Sequence, residues 1–417
     1  MITIAKGSSE AALTKKIKNM SNIIHQPLTD QIHYLGVNDT ETDLFEALWP
    51  LEQGVTYNAY LILDEHPCLI DTVEEKFSQE FIAKLQEILQ NKKLEYLVIN
   101  HMEPDHSGSL VELKKIYPDL KIIGNHKTAL FVQGFYQVPE DQVQQVKTGD
   151  SLSLGQHELQ FTQTPMVHWP ESMVTFETKT SILFSSDIFG GFKTLEQGIF
   201  AKNYKNLTEF EAETRRYFSN IIGAYTRPAA RALKNLKKLE IKMVAPGHGL
   251  VWQEQPKTII NWYKKWASLE AEPGATIIHG SMYGHTTEMA QVIADYLTTK
   301  NIKVNLLDAA RTHTSHLINS IWQYQGLIIG AATYTNDIFP PIRTLLHALS
   351  ERKIHDRYFG YFGSYSWTGG AYKALDQFAK NSKMEILEPS FRVQYSLNNE
   401  TKKQALELAK NLAQKLS

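Results

Sequence analysis

Cysteine is all but missing: Cys68 is the only one in 417 residues. A single thiol excludes an intramolecular disulfide and any zinc or iron–sulfur centre built on cysteine. Charge bias is missing too. The 43 basic and 45 acidic side chains leave a formal net charge of −2 without a long run of either sign, so neither a basic footprint for nucleic acid nor an acidic tail is present. No apolar stretch approaches the ~18 residues of a spanning helix. The first twenty residues carry four lysines and one acid but no apolar stretch long enough for a secretory signal. They read as a solvated extension, with a start at Met20 or organellar targeting as the other readings; the lack of arginine speaks against the latter. The expectation is a protein of the reducing cytoplasm with neither nucleic acid nor membrane as partner. What is present is ordinary for a soluble chain, 42% hydrophobic and 21% charged, and long enough for about two to four domains.

Two halves differ in pattern. Up to about residue 265, short strands alternate with loops. TYNAYLILDEHPCLIDT (56–72) reads as two strands around a turn, LEYLVIN (94–100) as a buried strand ending on His101, and KIIGNH and SILFSSD as further strands. SLSLGQHELQFTQTP reads as a strand bent at Gly155, and MVAPGHG (243–249) as a strand running into a turn. SLEAEPGA (268–275) has the breakers of a linker, Pro273 and Gly274. Beyond it, strand and helix alternate from ATIIHGS to a closing amphipathic helix, TKKQALELAKNLAQKL, which implies a doubly wound parallel sheet. The expected division is an extension over residues 1–27, one domain over 28–267 and another over 275–417.

In the first half, NHMEPDHSGSL (100–110) gathers His101, Glu103, Asp105 and His106 directly after a strand. Four polar side chains on one short loop are costly to bury unless a cation pairs with them. His168 in PMVHWPESM, Asp187 in LFSSDIFGG and His248 in APGHGLVW follow at similar strand ends. Four imidazoles and three carboxylates suffice for two metal ions if one carboxylate bridges.

In the second half, GSMYGHTTEMA (280–290) joins a strand to a helix, the setting in which loop N–H groups and a helix dipole bind phosphate. The candidates there are Ser281, Met282, Tyr283, Gly284, His285 and Thr286, with the Thr287 hydroxyl beside them. Two later loops also follow apolar strands. GAATYTNDIFPP (330–341) offers Thr333, Tyr334, Thr335 and Asn336; FGSYSWTGGA (362–371) offers Ser364, Tyr365, Ser366, Trp367, Gly369 and Gly370. Ligands of doubly wound sheets sit where such carboxyl-end loops diverge.

The ordered set HxExDH, HWPES, SSDIFG and GHG resembles the metallo-β-lactamase superfamily, an αββα sandwich, and within it the flavodiiron proteins. The hydrolases of that superfamily carry a histidine where this chain has Glu103; a carboxylate there adds charge and hardness, which suits iron, whereas zinc has no redox chemistry to gain from it. The resemblance implies that His101, Glu103 and His168 hold one iron, that Asp105, His106 and His248 hold the other, and that Asp187 bridges them. It implies a flavodoxin-like second domain holding FMN, with Tyr334, Tyr365 and Trp367 available to cover the ring; Thr335 and Asp337 depart from the family's more Asn- and Gly-rich loop. It further implies reduction of dioxygen to water, of nitric oxide to nitrous oxide, or both. The chain lacks the four cysteines of a rubredoxin module and ends after the flavodoxin-like helix, so a separate donor is expected: rubredoxin, a rubredoxin reductase system or a reduced deazaflavin. The family's head-to-tail homodimer, or a dimer of dimers, would set each flavin against the neighbouring chain's irons. Two other readings are a dizinc hydrolase with a fused flavodoxin domain and an FMN electron carrier whose metal site is not catalytic.

Overall fold

The structure is a computed structural model and describes residues 22–417. The extension expected over 1–27 therefore lies largely outside the described residues, and its last part is not an extension. Ile23–Pro27 is a strand paired antiparallel to Ile32–Asp39, from Ile23↔Val37 to Pro27↔His33. Only one of its faces is covered, so its sequence IIHQP shows little of the apolar run that betrays a buried strand.

Those two strands open a seven-stranded sheet that continues through Val55–Ile62, Cys68–Ile70, Tyr96–Val98, Lys121–Gly124 and Val143–Gln145. A second sheet of five strands runs from Ser151–Ser153 through Glu158–Gln163, Met173–Glu177 and Ile182–Ser186 to Met243–Pro246. The stretch expected as one strand bent at Gly155 is instead a hairpin, with Ser151–Ser153 antiparallel to Glu158–Gln163. Gly155 lies in its turn at φ +118°, a conformation open to glycine. The sheets meet through rings such as Tyr60 and Phe184, 5.0 Å apart, and the Tyr60 hydroxyl donates to the Pro246 carbonyl at 2.7 Å. Helices such as Ser78–Leu89, which buries Phe81, Ile82, Leu85 and Leu89, cover the outside. The result is an αββα sandwich.

The last third is a parallel sheet in the order Val304–Asp308, Glu272–Gly280, Tyr324–Tyr334, His355–Tyr365, Lys383–Ile386, with Phe391–Gln394 extending the far end of the fourth strand. Alternate residues face two different apolar clusters. Ile277 and Ile328 pack with Met289 and Leu408, whereas Ile278, Leu327 and Ile329 pack with Leu317 and Leu345. A sheet covered on both faces needs such unbroken apolar strands.

The segment read as a linker is short and anchored. Leu269 is buried, and the strand already begins at Glu272. Phe218, Trp266 and Trp322 form one aromatic cluster across the seam, and Trp322 Nε1 donates to the Trp266 carbonyl at 3.2 Å. Arg357 donates to the Leu269 and Ile321 carbonyls at 2.8 and 3.0 Å. Among the described residues no helix is long and apolar enough to cross a membrane.

Candidate metal centre and flavin cleft

Strand register assembles the first site. Ile182–Ser186 and Met243–Pro246 run parallel, with Ser186 opposite Pro246, so Asp187 and His248 leave the second sheet at one rim. In the first sheet, Cys68–Ile70 and Tyr96–Val98 are parallel as well, which brings Asp71 level with the loop at Asn100 and His101. The Asn100 N–H donates to Asp71 Oδ1 at 2.7 Å, and the Thr175 hydroxyl donates to Asn100 Oδ1 at 2.7 Å, tying the two sheets together beside the site. Pro104–Ser107 is a single helical turn that turns Asp105 and His106 inward. Gly247 is required by close approach, since a Cβ there would stand 2.7 Å from His106 Cε1.

All seven residues expected from sequence converge, and all are buried. His101, Glu103, His168 and Asp187 form one cluster with ligand atoms within 4.8 Å of one another; Asp105, His106 and His248 form a second. Asp187 faces both. Its Oδ2 lies 3.3 Å from His101 Nε2 and 3.1 Å from His168 Nε2, while its Oδ1 lies 2.9 Å from His106 Nε2 and 3.4 Å from His248 Nε2. Glu103 Oε2 stands 3.2 Å from His101 Nε2 and 3.1 Å from His168 Nε2.

The electrostatics call for added positive charge. Burial disfavours each imidazolium, yet the surrounding carboxylates outweigh it. His101 is held well above its ordinary value by Asp187, Glu103 and Glu171, His168 is pushed up to about 9 by Asp187 and Glu103, and His248 to about 10 by Asp105 and Asp187. Burial likewise opposes ionisation of Glu103 and Asp187, but the imidazoles hold both carboxyls below the usual range. Both oxygens of Asp105 and Oδ1 of Asp187 are buried without a well-directed hydrogen bond among the described residues, although Nε2 of His106 and of His248 stand within 3.5 Å of Asp105 Oδ2 and of Asp187 Oδ1. Buried carboxylates are left this way at a cost unless a cation completes them. A pair of divalent ions meets that demand, displacing protons from the imidazoles, so the residues fit a binuclear metal site.

Partners behind the imidazoles fix their orientation. His101 Nδ1 is 2.7 Å from Glu171 Oε1, which also accepts the Met102 N–H at 2.9 Å; His248 Nδ1 donates to the Thr56 carbonyl at 2.6 Å. Both contacts turn Nε2 toward the site, the arrangement that sets the tautomer of a metal-binding histidine. Rings of Phe45, Tyr57 and Tyr217 surround His248 at 5.4, 5.8 and 5.5 Å. Glu171→Gln is expected to lower metal affinity about 10- to 100-fold, because the amide holds His101 more weakly. Metal retention against a chelator series checks this, and unchanged retention would show that Glu171 does not act through His101.

The second site is a cleft of about 440 Å³ at the carboxyl ends of the third sheet. Its walls include Ser281, Met282, Tyr283, His285 and Thr286 from the first loop, and Thr333, Tyr334, Thr335 and Asn336 from the second. The third loop contributes Ser364, Tyr365, Ser366 and Trp367. Gly284, Gly369 and Gly370 are not wall residues. Gly284 has φ +94° immediately before helix His285–Thr299, and Gly370 opens helix Gly370–Asn381 so tightly that a Cβ would meet the Asn336 carbonyl oxygen at 2.1 Å. Thr286 Oγ1 and Ser364 Oγ are 2.8 Å apart, and Thr287 Oγ1 lies 3.2 Å from His279 Nδ1. The first-turn N–H groups of His285–Thr299 open onto this loop, a setting suited to a phosphate. The aromatic rim is open to solvent, Tyr283 by 89% and Trp367 by 82%, so it offers a flat ring or a protein surface something to stack on.

Residues 55–249 match the family described as ODP family beta lactamase, and residues 277–408 match flavodoxin. A nitric oxide reductase of Moorella thermoacetica is 32% identical over 394 residues, spanning 94% of this chain and 98% of that protein. An anaerobic nitric oxide reductase flavorubredoxin of Pectobacterium carotovorum is 33% identical over 348 residues, 82% of this chain and 69% of that protein. The chain belongs to the flavodiiron proteins. Two solved structures agree. Rubredoxin oxygen:oxidoreductase from Desulfovibrio gigas has a TM-score of 0.90 at 27% identity, covering 94% of this chain and 98% of that one. A flavo di-iron protein from Thermotoga maritima, carrying a point substitution, has 0.88 at 28%, covering 96% and 100%. As a flavodiiron protein the chain is an oxidoreductase whose cofactors are FMN and two non-haem irons.

Several residues of these sites were not singled out from sequence. Glu171 lies inside the quoted HWPES, and an acid three positions after a candidate ligand was the available signal. Glu46 gave none. It sits at φ +52° between the short strands Leu44–Phe45 and Trp49–Pro50 and accepts from Trp49 Nε1 at 2.9 Å; burial and the Glu103 carboxylate raise its pKa to about 7. In the flavin cleft, Ala332, Thr368 and Tyr395 join the wall. Tyr395 arrives only because Phe391–Gln394 pairs beside His355–Tyr365.

Proposed function

We propose that His101, Glu103 and His168 hold one iron, that Asp105, His106 and His248 hold the second, and that Asp187 bridges them. With FMN in the cleft formed by the three loops, the chain reduces dioxygen to water, nitric oxide to nitrous oxide, or both. The observation that carries this reading is Asp187, whose two oxygens each face a separate pair of imidazoles. Bound there, two irons supply two electrons and a reduced flavin two more, matching four-electron reduction of dioxygen or coupling of nitric oxide molecules with two electrons. The protein's share is to hold the ligands at fixed spacing, to keep bulk water from the buried carboxylates and to orient His101 and His248 through Glu171 and Thr56. In this reading residues 28–267, with the strand before them, form the diiron unit and 275–417, with the start of their first strand, the FMN unit.

The site acts in the cytoplasm and draws electrons from a separate donor of the rubredoxin type, a reading supported by the name of the Desulfovibrio gigas neighbour. A head-to-tail homodimer is proposed for the assembly. Apolar surface is exposed at both cofactor regions: Tyr283 and Trp367 at the flavin cleft, Phe135 tilted against Trp169 at 6.3 Å beside His168, and Leu48 near Glu46.

Glu103 separates this reading from a dizinc hydrolase. Glu103→His is expected to shift metal preference toward zinc and to lower gas reduction, through lost charge and a softer ligand. Metal analysis after growth in mixed iron and zinc, with anaerobic turnover, tests it. Full iron occupancy with full activity would show that Glu103 is not the discriminating ligand.

A further inference from the structure

We propose that a cleft of about 640 Å³ at the seam between the sandwich and the parallel sheet binds a phosphate ester of mononucleotide size. The volume falls within the range of roughly 300–1,000 Å³ typical of small-molecule sites. Four segments that are distant in sequence converge on it. They are the start of helix Thr226–Leu236, the turn at Ala267–Leu269, the junction between helix Pro340–Arg352 and strand His355–Tyr365, and the junction between helix Gly370–Asn381 and strand Lys383–Ile386.

Its charge is one-sided. Arg227, Arg352, Lys353, His355 and Lys383 line it, and no acidic residue does. Two of these side chains have local work. Arg352 donates to the Ser219 and Asn220 carbonyls at 2.8 and 3.0 Å, and His355 is paired with Asp356 at 2.7 Å. Arg227, Lys353 and Lys383 have no side-chain hydrogen bond or ion pair among the described residues. Helices Pro340–Arg352, Gly370–Asn381 and Pro256–Ala267 end here, contributing roughly half a negative charge each, and helix Thr226–Leu236 begins here with roughly half a positive one. Set against Arg227, Arg352, Lys353 and Lys383, these helix ends leave a surplus of about three positive charges on the wall. An occupant with two or three negative charges cancels it.

The rest of the wall fits the body of such a molecule. The half-buried Pro228 and Phe378 give an apolar shelf, backed by the buried Leu349 and Ile354, and Ser268 and Asn381 add hydrogen-bonding groups at its edge. Inorganic phosphate alone would leave the shelf uncovered. The cleft is also remote from the flavin. His355 and Tyr365 are the two ends of one 11-residue strand, the first at this cleft and the second at the flavin cleft, roughly 30 Å apart. The occupant therefore acts as a bound ligand of the seam and not as an electron donor.

The test uses full-length protein loaded with FMN and iron, titrated calorimetrically with ADP and, separately, with inorganic phosphate. ADP should bind saturably with a dissociation constant at or below about 1 mM, and phosphate at least ten-fold more weakly. The double variant Arg227→Glu/Lys383→Glu should weaken ADP at least ten-fold while leaving FMN and iron content unchanged. Should that variant fold poorly, Arg227→Gln/Lys353→Gln replaces it, with the same direction expected. No saturable binding by about ten times that concentration overturns the proposal. So does equal binding by the folded variants, phosphate binding as tightly as ADP, or ADP acting only by releasing FMN.

Discussion

Asp187→Ala is expected to strip the metal centre and to reduce gas turnover by more than about 100-fold, beyond what is typical for groups behind the ligands. The expectation follows from position. Asp187 leaves the end of strand Ile182–Ser186 buried, and each of its oxygens lies within 3.4 Å of two imidazole nitrogens of one cluster, Oδ2 facing the first cluster and Oδ1 the second. Alanine leaves four imidazoles facing two carboxylates, and neither Glu103 nor Asp105 spans both clusters. Charge and bridge are lost together. Iron content by elemental analysis and anaerobic turnover of the reduced protein give the two readouts. Near-normal iron and turnover would show that the bridging assignment is wrong.

A second variant, inactive for a different reason, is expected to rescue the first. Gly284→Trp places a bulky side chain at φ +94° in the loop before helix His285–Thr299, where L-residues are strained. It should lose FMN while keeping iron. Co-expressed with Asp187→Ala, it should form mixed dimers in which one flavin from the first chain faces one diiron site from the second. In a head-to-tail dimer the same contact occurs twice by symmetry, so a mixed dimer retains one complete pair out of two and should recover up to about half of the wild-type rate. Each variant alone stays inactive. The exposed rings of Tyr283 and Trp367 on one side, and Phe135 and Leu48 on the other, are the surfaces that such a contact would cover. Mixed dimers that form, retain their intact cofactors and yet remain inactive would show that electrons do not cross between chains.

The seven residues that converge here stand out in the sequence because most of them follow closely on a strand, and strand ends are where a rigid sheet hands over to loops. Register then did what sequence could not state. The parallel pairing of Ile182–Ser186 with Met243–Pro246 sets Asp187 beside His248 across 60 intervening positions of chain. The groups that tune the site were harder to see. Glu171 matters because it meets His101 at 2.7 Å, and Glu46 because a hairpin turns it toward Glu103; neither contact follows from spacing. The same holds for Tyr395, placed by a strand pair. The strand at Ile23–Pro27 escaped notice because an edge strand with one wet face has little apolar signal, and the hairpin at 151–163 because a glycine can bend a strand or reverse it. The segment SLEAEPGA has the composition of a linker but is partly strand. Pro273 stands one residue inside the strand that begins at Glu272, a position proline tolerates.

The most direct test of the central claim is a single turnover of FMN- and iron-loaded protein, fully reduced with dithionite and freed of excess reductant, against dioxygen and nitric oxide in separate anaerobic mixing experiments. About two irons and one FMN per chain are expected at the start. With at least one of the two gases, flavin reoxidation should keep pace with gas consumption, and each chain should consume about one dioxygen or the equivalent electrons in nitric oxide. Zinc in both positions after iron-replete growth, or irons and flavin that stay reduced in the presence of both gases, would contradict it.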